Sequence, residues 1–310
     1  MIHRESTPKV LISVTSVQNR HSLPLENFVP TGKPHHRVRS TDNIKKHSNS
    51  FYAQERPIFI GGVPLVMNVT LPLLTSSYEI KPNGVPVRVN TGHNFDEGEE
   101  DVLLKGETYI GSKRNCVGVA LTIGKRNYME DVAIVKGGAF GETDYFGIFD
   151  GHNGEDAAVI AAQRLDQIMT SDEINGDDVK PKIVEAFQKL QNEVIMETES
   201  GTTASLVFVR KNDIVVVNIG DSMVFILKNG ILSRVGKDHK PNQQDEKDRI
   251  LKDGGTIDDV NGTLRINRVI ANYRSIGDKA VHPPLSCIPD VFIVPFRRVS
   301  NILIASDGIA

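Results

Sequence analysis

Cysteine is scarce in this 310-residue sequence, which contains only Cys116 and Cys287. Two isolated cysteines form neither a disulfide framework nor a zinc cluster, so they predict a reducing intracellular compartment. No apolar run approaches the ~20 residues that span a bilayer, and the first residues lack the apolar core of a signal peptide. We therefore predict a cytoplasmic protein without a membrane span, with the nucleus as the alternative location.

An excess of charge of one sign is also missing, because the formal net charge is −3. This balance argues against a dominant attraction to nucleic acid or to an anionic membrane. Hydrophobic residues make up 39% and charged residues 24% of the chain, close to the average of globular proteins. The composition therefore allows a sizeable core, and we expect a monomer with no nucleic-acid partner.

The amino-terminal part of the chain differs in composition from the rest. Residues 1–50 hold eight Lys and Arg against three Asp and Glu, together with five His. Because their hydrophobic periodicity is poor, we predict a disordered basic tail over residues 1–55; docking to an acidic partner stays open. Residues 56–107 predict a β-rich extension and an acidic linker, either as a small module or packed on the domain carboxy-terminal to it.

Residues 108–310 alternate apolar β runs with two helical stretches. Apolar residues recur at helical spacing over 155–169, and Pro181 opens a second amphipathic stretch. Runs rich in β-branched residues surround them, including a predicted hairpin through residues 211–212. This pattern predicts an α+β fold in which helices pack on antiparallel sheets.

Several carboxylates lie inside or at the ends of these β runs, where acidic residues are normally depleted. They are Glu130, Asp131, Asp150, Asp221 and Asp307. Buried carboxylates are costly unless they are paired or bind metal, and a converging set would suit Mg²⁺ or Mn²⁺. Each residue alone is equally consistent with an ordinary turn or a surface position. Together they predict a phosphoryl-transfer or hydrolytic metal site, without separating a phosphatase from a nuclease.

Nine short motifs occur along the chain in an order that resembles the metal-dependent protein serine/threonine phosphatases, the type 2C or PPM family. They are residues 126–131 (RNYMED), 149–154 (FDGHNG), 201–204 (GTTA), 218–222 (NIGDS), 238–241 (DHKP), 246–250 (EKDRI), 254–257 (GGTI), 274–278 (RSIGD) and 306–308 (SDG). The resemblance covers about residues 112–310. It implies two antiparallel β-sheets packed as a sandwich with helices outside, and hydrolysis of phosphoserine or phosphothreonine in protein substrates.

The resemblance also implies a dinuclear Mg²⁺ or Mn²⁺ site. Asp150 resembles the carboxylate that bridges both metals, and the carbonyl of Gly151 resembles a ligand of one of them. Asp307 resembles a further direct ligand. Glu130 and Asp131 resemble the pair that holds the metals largely through ordered waters.

Three other residues acquire roles from the same resemblance. Asp221 resembles a residue of a weaker, third metal position. Arg126 resembles the arginine that binds the substrate phosphate through a bidentate interaction of its guanidinium. His152 resembles the general acid that protonates the departing seryl or threonyl oxygen. From residue types alone, Arg126 could equally be a solvated charge and His152 a turn residue.

Some positions depart from the family pattern. Met223 stands where the family has arginine, Arg268 where it has glycine, and Tyr273 where it has serine. An arginine at a glycine position is strained if the backbone there needs a positive φ. We therefore expect these changes to affect the loop beside the site more than the metal ligands.

The family pattern continues after residues 306–308 to an Asp-Asn motif and a closing central strand, whereas this sequence ends at Ala310. We accordingly expect a weakened metal position, and unpaired backbone groups with an uncovered apolar face beside the last strand. The alternative function is then a catalytically silent, phosphatase-like interaction scaffold.

Overall fold

The computed structural model describes residues 9–16, 58–60, 63–65, 76–80, 87–88, 114–122, 126, 128–240 and 243–309. In chain order, their strands are β1 (Lys9–Ser16), β2 (Ile58–Ile60), β3 (Val63–Leu65), β4 (Ser76–Ile80), β5 (Val87–Arg88), β6 (Asn115–Thr122), β7 (Asp131–Phe140), β8 (Thr143–His152), β9 (Gly201–Thr202), β10 (Ala204–Val209), β11 (Asp213–Ile219), β12 (Met223–Lys228), β13 (Ile231–Val235), β14 (Ile257–Val260), β15 (Thr263–Ile266), β16 (Ile276–Gly277), β17 (Asp290–Pro295) and β18 (Val299–Ala305). The α-helices are α1 (Asp156–Ile168), α2 (Ser171–Asn175), α3 (Val179–Glu197) and α4 (Gln244–Lys252).

Most of these strands form two antiparallel sheets. The first sheet has the order β13-β12-β18-β1-β6-β4-β5. The second has the order β16-β9-β8-β10-β11-β17, with β7 also pairing with β8. Strand pairs β2–β3 and β14–β15 form separate hairpins. The α+β fold class predicted from the sequence is confirmed.

Strand β1 lies in the middle of the first sheet. Ile12 is opposite Ile304 of β18 on one side and Val119 of β6 on the other, and its side chain is fully buried. The prediction of a disordered tail over residues 1–55 is therefore wrong for residues 9–16. The remainder of that segment lies outside the described residues.

The last strand, β18, has a partner on each side. It pairs with β12 along one edge and with β1 along the other. The expectation of unpaired backbone groups beside this strand is therefore wrong, because β1 supplies the neighbouring ladder.

Strands β4 and β5 extend the first sheet beyond β6. They belong to the predicted β-rich extension, so this part of it packs on strands from later in the chain. The acidic linker predicted between β5 and β6 lies outside the described residues.

The main core fills the space between the two sheets. Residues from both sheets form one buried cluster, including Ile12 of β1, Ile304 of β18, Ile148 of β8 and Val216 of β11. Alternate residues of a strand point to opposite faces, so each sheet contributes every second side chain to this layer. The arrangement is the sandwich that the family resemblance implied.

Helices α1 to α3 cover the other face of the second sheet. Leu165 of α1 and Phe187 of α3 pack with Tyr145 and Phe149 of β8 in a second buried cluster. Helix α3 begins at Val179, so Pro181 lies in its first turn. Backbone N–H groups in the first turn have no acceptor within the helix, so the N–H that proline lacks costs no hydrogen bond. No helix in the described part of the chain is both long enough and apolar enough to cross a membrane.

The chain passes from one sheet to the other between β11 and β12. The apolar run DIVVVNIGDSMVFIL forms two strands, because Gly220 has a φ of +93° and interrupts it. A Cβ at this position would lie 2.5 Å from Cγ2 of Thr203. The break leaves Asp221 just after the end of β11, near enough to Asp150 for its charge to raise the pKa of that carboxyl.

Arg268 adopts a φ of +65° in an exposed loop, so the strain anticipated at this position is present. Arg268→Gly should unfold with a free energy about 1 kcal/mol higher than Arg268→Ala, because only alanine keeps a Cβ in the left-handed region. Chemical denaturation of both variants measures this difference. Both lack the arginine side chain, so equal stabilities would show that the backbone is not strained.

Candidate active site

A cleft of about 1070 Å³ opens at one end of the sandwich. The side chains or backbone of all eight residues singled out from the sequence line it. They are Arg126, Glu130, Asp131, Asp150, Gly151, His152, Asp221 and Asp307. The structure thus brings the whole predicted set together, although the role of each remains a prediction.

Pairing between β7 and β8 positions the first carboxylates. Asp131 lies directly opposite Asp150 in the ladder. The Gly151 N–H donates to the carbonyl of Glu130 at 3.2 Å, and Oε1 of Glu130 accepts from the Gly154 N–H at 2.8 Å. A Cβ on Gly151 would lie 2.5 Å from the backbone carbonyl oxygen of Glu130. Glycine is therefore required for these two strands to approach so closely.

Asp307 reaches the cleft from the other sheet. It comes after β18 and begins the 3₁₀ turn Asp307–Ile309. Its backbone N–H donates to the carboxylate of Asp150. Asp150 and Asp307 are therefore neighbours, as the sequence predicted.

The carboxylates in the cleft repel one another. Burial, with the charges of Asp307 and Glu130, raises the pKa of Asp131 to about 7. Burial, followed by the charges of Asp131, Asp307 and Asp221, raises the pKa of Asp150 well above its usual value. Burial and mutual repulsion both disfavour the ionised carboxylates, so a nearby positive charge would be needed to stabilise them.

A divalent cation would supply the compensating charge. Oδ2 of Asp131 is buried and has no hydrogen-bond partner within the described residues, which is costly for an anionic oxygen. Across the described ranges, no group of three or more His, Cys, Asp or Glu side chains is arranged to hold a metal ion. Mg²⁺ usually retains several waters and takes one or two carboxylates, so these residues fit such an ion with water completing its shell.

Asp221 already has protein partners. Nζ of Lys240 lies 2.8 Å from its Oδ2, and Nδ2 of Asn272 donates to its Oδ1 at 3.0 Å. Any cation at the predicted third position would compete with Lys240.

The pKa of Asp307 is raised by burial and by Asp221, whereas Lys240 and Arg126 lower it.

The two predicted non-metal residues lie on different parts of the cleft. Arg126 is exposed, and its positive charge lowers the pKa of Asp307. His152 ends β8, and its Nε2 lies 2.8 Å from Oδ2 of Asp278. Sequence reasoning gave no role to Asp278 or to Lys240. Asp278 belongs to the family motif RSIGD and Lys240 to the motif DHKP, and these motifs could have identified both residues as candidates.

Other motif residues form a buried ion network instead of lining the cleft. Arg274 donates from Nε to Oε1 of Glu246 and from Nη1 to Oδ1 of Asp290, each at 2.9 Å. His239 Nε2 is 3.3 Å from Oδ2 of Asp290. The proximity of His239 and the charge of Arg274 lower the pKa of Asp290 to about 2. The motifs DHKP, EKDRI and RSIGD therefore also hold this part of the fold together.

The fold and the site define a class of protein: an α+β sandwich with an acidic cleft suited to divalent cations, an exposed arginine and a histidine. The family profile described as Protein phosphatase 2C matches residues 123–310, more than half of the sequence. The chain therefore belongs to the protein phosphatase 2C family.

Curated relatives agree with this assignment. "Probable protein phosphatase 2C 11" of Arabidopsis thaliana is 33% identical over 196 residues, which are 60% of this chain and 52% of that protein. "Probable protein phosphatase 2C 59" of Oryza sativa subsp. japonica is 34% identical over 200 residues, 62% of this chain and 61% of that protein. The chain thus spans between about half and three fifths of the length of these relatives.

A solved structure is similar at the level of the fold. The sex determining protein of C. elegans superposes with a TM-score of 0.52 at 21% identity, covering 57% of this chain and 47% of that one. At this identity the similarity concerns the fold alone.

Proposed function

We propose that this chain hydrolyses phosphoserine and phosphothreonine in proteins, with two Mg²⁺ or Mn²⁺ ions held by the cleft carboxylates and a weaker third near Asp221. The observation that carries the proposal is that Asp131, Asp150 and Asp307 line one cleft, where burial and neighbouring carboxylates raise the pKa of each. Bound cations would lower the pKa of a water molecule and neutralise charge on the phosphoryl oxygens. Nothing in the described residues or the relatives supports the alternative of a silent scaffold.

The proposed cation ligands are inferred from the contacts in the cleft. Asp150 and Asp307 are hydrogen-bonded neighbours and would offer carboxylate oxygens. The carbonyl of Gly151 would add a neutral oxygen. Glu130 and Asp131 would accept hydrogen bonds from waters, and the orphaned Oδ2 of Asp131 suits that task.

The remaining residues would act on the substrate. Arg126 would bind two phosphate oxygens through paired N–H donors. In the reaction, the oxygen of a water bonds to phosphorus while the phosphorus–oxygen bond to the seryl side chain breaks. The departing alkoxide takes its proton from His152, which regains a proton from solvent. The products are inorganic phosphate and the free hydroxyl.

The test is release of phosphate from phosphoserine and phosphothreonine peptides by the full chain, with Mn²⁺ or Mg²⁺ added or chelated. We expect turnover only with cations, since a cluster of bare carboxylates repels a phosphate dianion. Peptide binding, followed by fluorescence anisotropy, should weaken in chelator for the same reason. Undiminished turnover in excess chelator, or no turnover with either cation, would refute the proposal.

A further inference from the structure

The imidazole of His152 has a carboxylate partner from a distant part of the chain. Its Nε2 lies 2.8 Å from Oδ2 of Asp278, and the Asp278 side chain is only 10% exposed. A charge-assisted hydrogen bond of this length fixes the plane of an imidazole ring.

Asp278 is itself held by several hydrogen bonds. Ser275 Oγ donates to its Oδ2 at 2.5 Å, and its own N–H donates to the carbonyl of Ser200 at 3.0 Å. The preceding Gly277 exchanges two hydrogen bonds with the side-chain amide of Gln191 on α3, at 2.7 and 2.9 Å. The carboxylate is therefore anchored to a helix and to a second loop.

The backbone around the pair is shaped to permit the contact. Asp278 has a φ of +49° and Gly277 a φ of +87°, conformations that cost energy for a residue with a side chain. A Cβ on Gly201 would clash with both Oδ2 of Asp278 and Nε2 of His152. Only glycine at this position leaves room for the two side chains to meet.

We propose that Asp278 is a positioning residue that orients His152 for proton transfer to the leaving oxygen. A carboxylate only accepts hydrogen bonds, so Nε2 carries the hydrogen that faces Asp278, and Nδ1 is left to carry the transferred proton. The bond also fixes the plane of the ring and one tautomer of the neutral imidazole. This inference rests on the proposed function for its catalytic consequence.

The test uses Asp278→Asn in the full chain with two substrates. On a phosphoserine peptide, whose alkoxide needs a proton, kcat should fall roughly tenfold to a hundredfold, part of the contribution of a general acid. On p-nitrophenyl phosphate, whose leaving group departs unprotonated, kcat should fall less than about threefold, because general-acid assistance contributes little there. Asp172→Asn, at an exposed carboxylate on α2, should change neither. Equal losses on both substrates would overturn the proposal.

A double mutant separates positioning from a general structural effect. His152→Ala alone should cost roughly 10²–10⁴-fold on the peptide, and adding Asp278→Asn should then cost almost nothing further. Independent, multiplying losses would contradict the inference. Ser275→Ala should produce a smaller loss with the same substrate pattern, so the inference stays testable if Asp278→Asn folds poorly.

A spectroscopic measurement decides the contact without any turnover. In ¹⁵N-labelled protein, long-range ¹H–¹⁵N correlations should show neutral His152 with its hydrogen on Nε2, and Asp278→Asn should weaken that preference. A hydrogen on Nδ1 in the parent would refute the positioning role. If the parent shows this tautomer but releases no phosphate with cations, the proposed function fails while the His152–Asp278 contact stands.

Discussion

Asp150→Asn should abolish cation-dependent phosphate release and, without cations, raise the melting temperature of the protein. Turnover should fall by at least about 10³-fold, because Asp150 would help to hold the proposed cations, which would supply several kcal/mol of transition-state stabilisation. Stability should rise for the opposite reason. The charges of Asp131, Asp307 and Asp221 repel the Asp150 carboxylate, and a neutral amide removes that repulsion.

The sign of the stability change is set by the direction of the pKa shift. The folded pKa of Asp150 lies well above the value of 3.8 expected for an unfolded chain. The ionised group therefore destabilises the folded state above about pH 4, and the cost grows with pH until the folded pKa is reached. At neutral pH we expect a gain of at least about 1 kcal/mol, which is about 2–4 °C for a domain of this size.

Asp144 provides the matched control, because it lies on the same strand and is more deeply buried than Asp150. Its carboxylate accepts from Asn115 Nδ2 at 2.6 Å and from the Gly138 N–H at 2.9 Å. Asp144→Asn should lower stability by about 1–3 kcal/mol, since an amide leaves one of these donors unsatisfied. Differential scanning fluorimetry with Mn²⁺ or chelator measures both variants. A metal-free Asp150→Asn protein that melts below the parent would show that the carboxylates are compensated by something else.

Much of the site could be predicted because strand-borne carboxylates are rare. Asp131, Asp150 and Asp307 each lie within, begin or come just after a β run, where an unpaired carboxylate is unfavourable. Strands that end on the same side of a sandwich bring such residues together, as the ladder between Asp131 and Asp150 does. The fold class was predictable for a similar reason, since both periodicities are strong over residues 108–310.

Pairings between distant motifs could not be predicted. Asp278 meets His152, and Lys240 meets Asp221, only through the turns that carry them. Each belongs to a short motif whose residues show no periodicity that would reveal a partner. Backbone conformations with positive φ, such as that of Asp278, are likewise invisible to an argument from residue types.

Strand β1 was missed because composition was averaged over too long a segment. Within a basic, Ser- and His-rich stretch, the sequence KVLISVTS places Val10, Ile12 and Val14 at every second position, the period of a half-buried strand. Eight residues of this kind are diluted in a window of fifty. A shorter window would have detected the alternation, although not its place between β18 and β6.

Ile12→Ala should lower the free energy of unfolding by about 2–5 kcal/mol, the cost of removing a large side chain from a packed core. The side chain is fully buried between the two sheets. Ile231→Ala is the matched control, because Ile231 lies on β13 of the same sheet and is 59% exposed; its effect should stay within about 0.5 kcal/mol. Urea denaturation measures both. In the parent, hydrogen exchange should show protected amides over residues 9–16. Unprotected amides there, together with an Ile12→Ala variant whose free energy of unfolding equals that of the parent, would favour the disordered tail.

The same substitution should also weaken the response to cations, because β1 contacts the 3₁₀ turn that begins with Asp307. A less stable β1 would leave the turn, and with it the Asp307 carboxylate, less ordered. A less ordered carboxylate binds a hard dication less tightly. The increase in melting temperature on adding Mn²⁺ should therefore be smaller for Ile12→Ala than for Ile214→Ala. Ile214 is equally buried in the same core but belongs to β11 of the second sheet. Equal Mn²⁺ responses in the two variants would show that β1 stabilises the sandwich without supporting the position of Asp307.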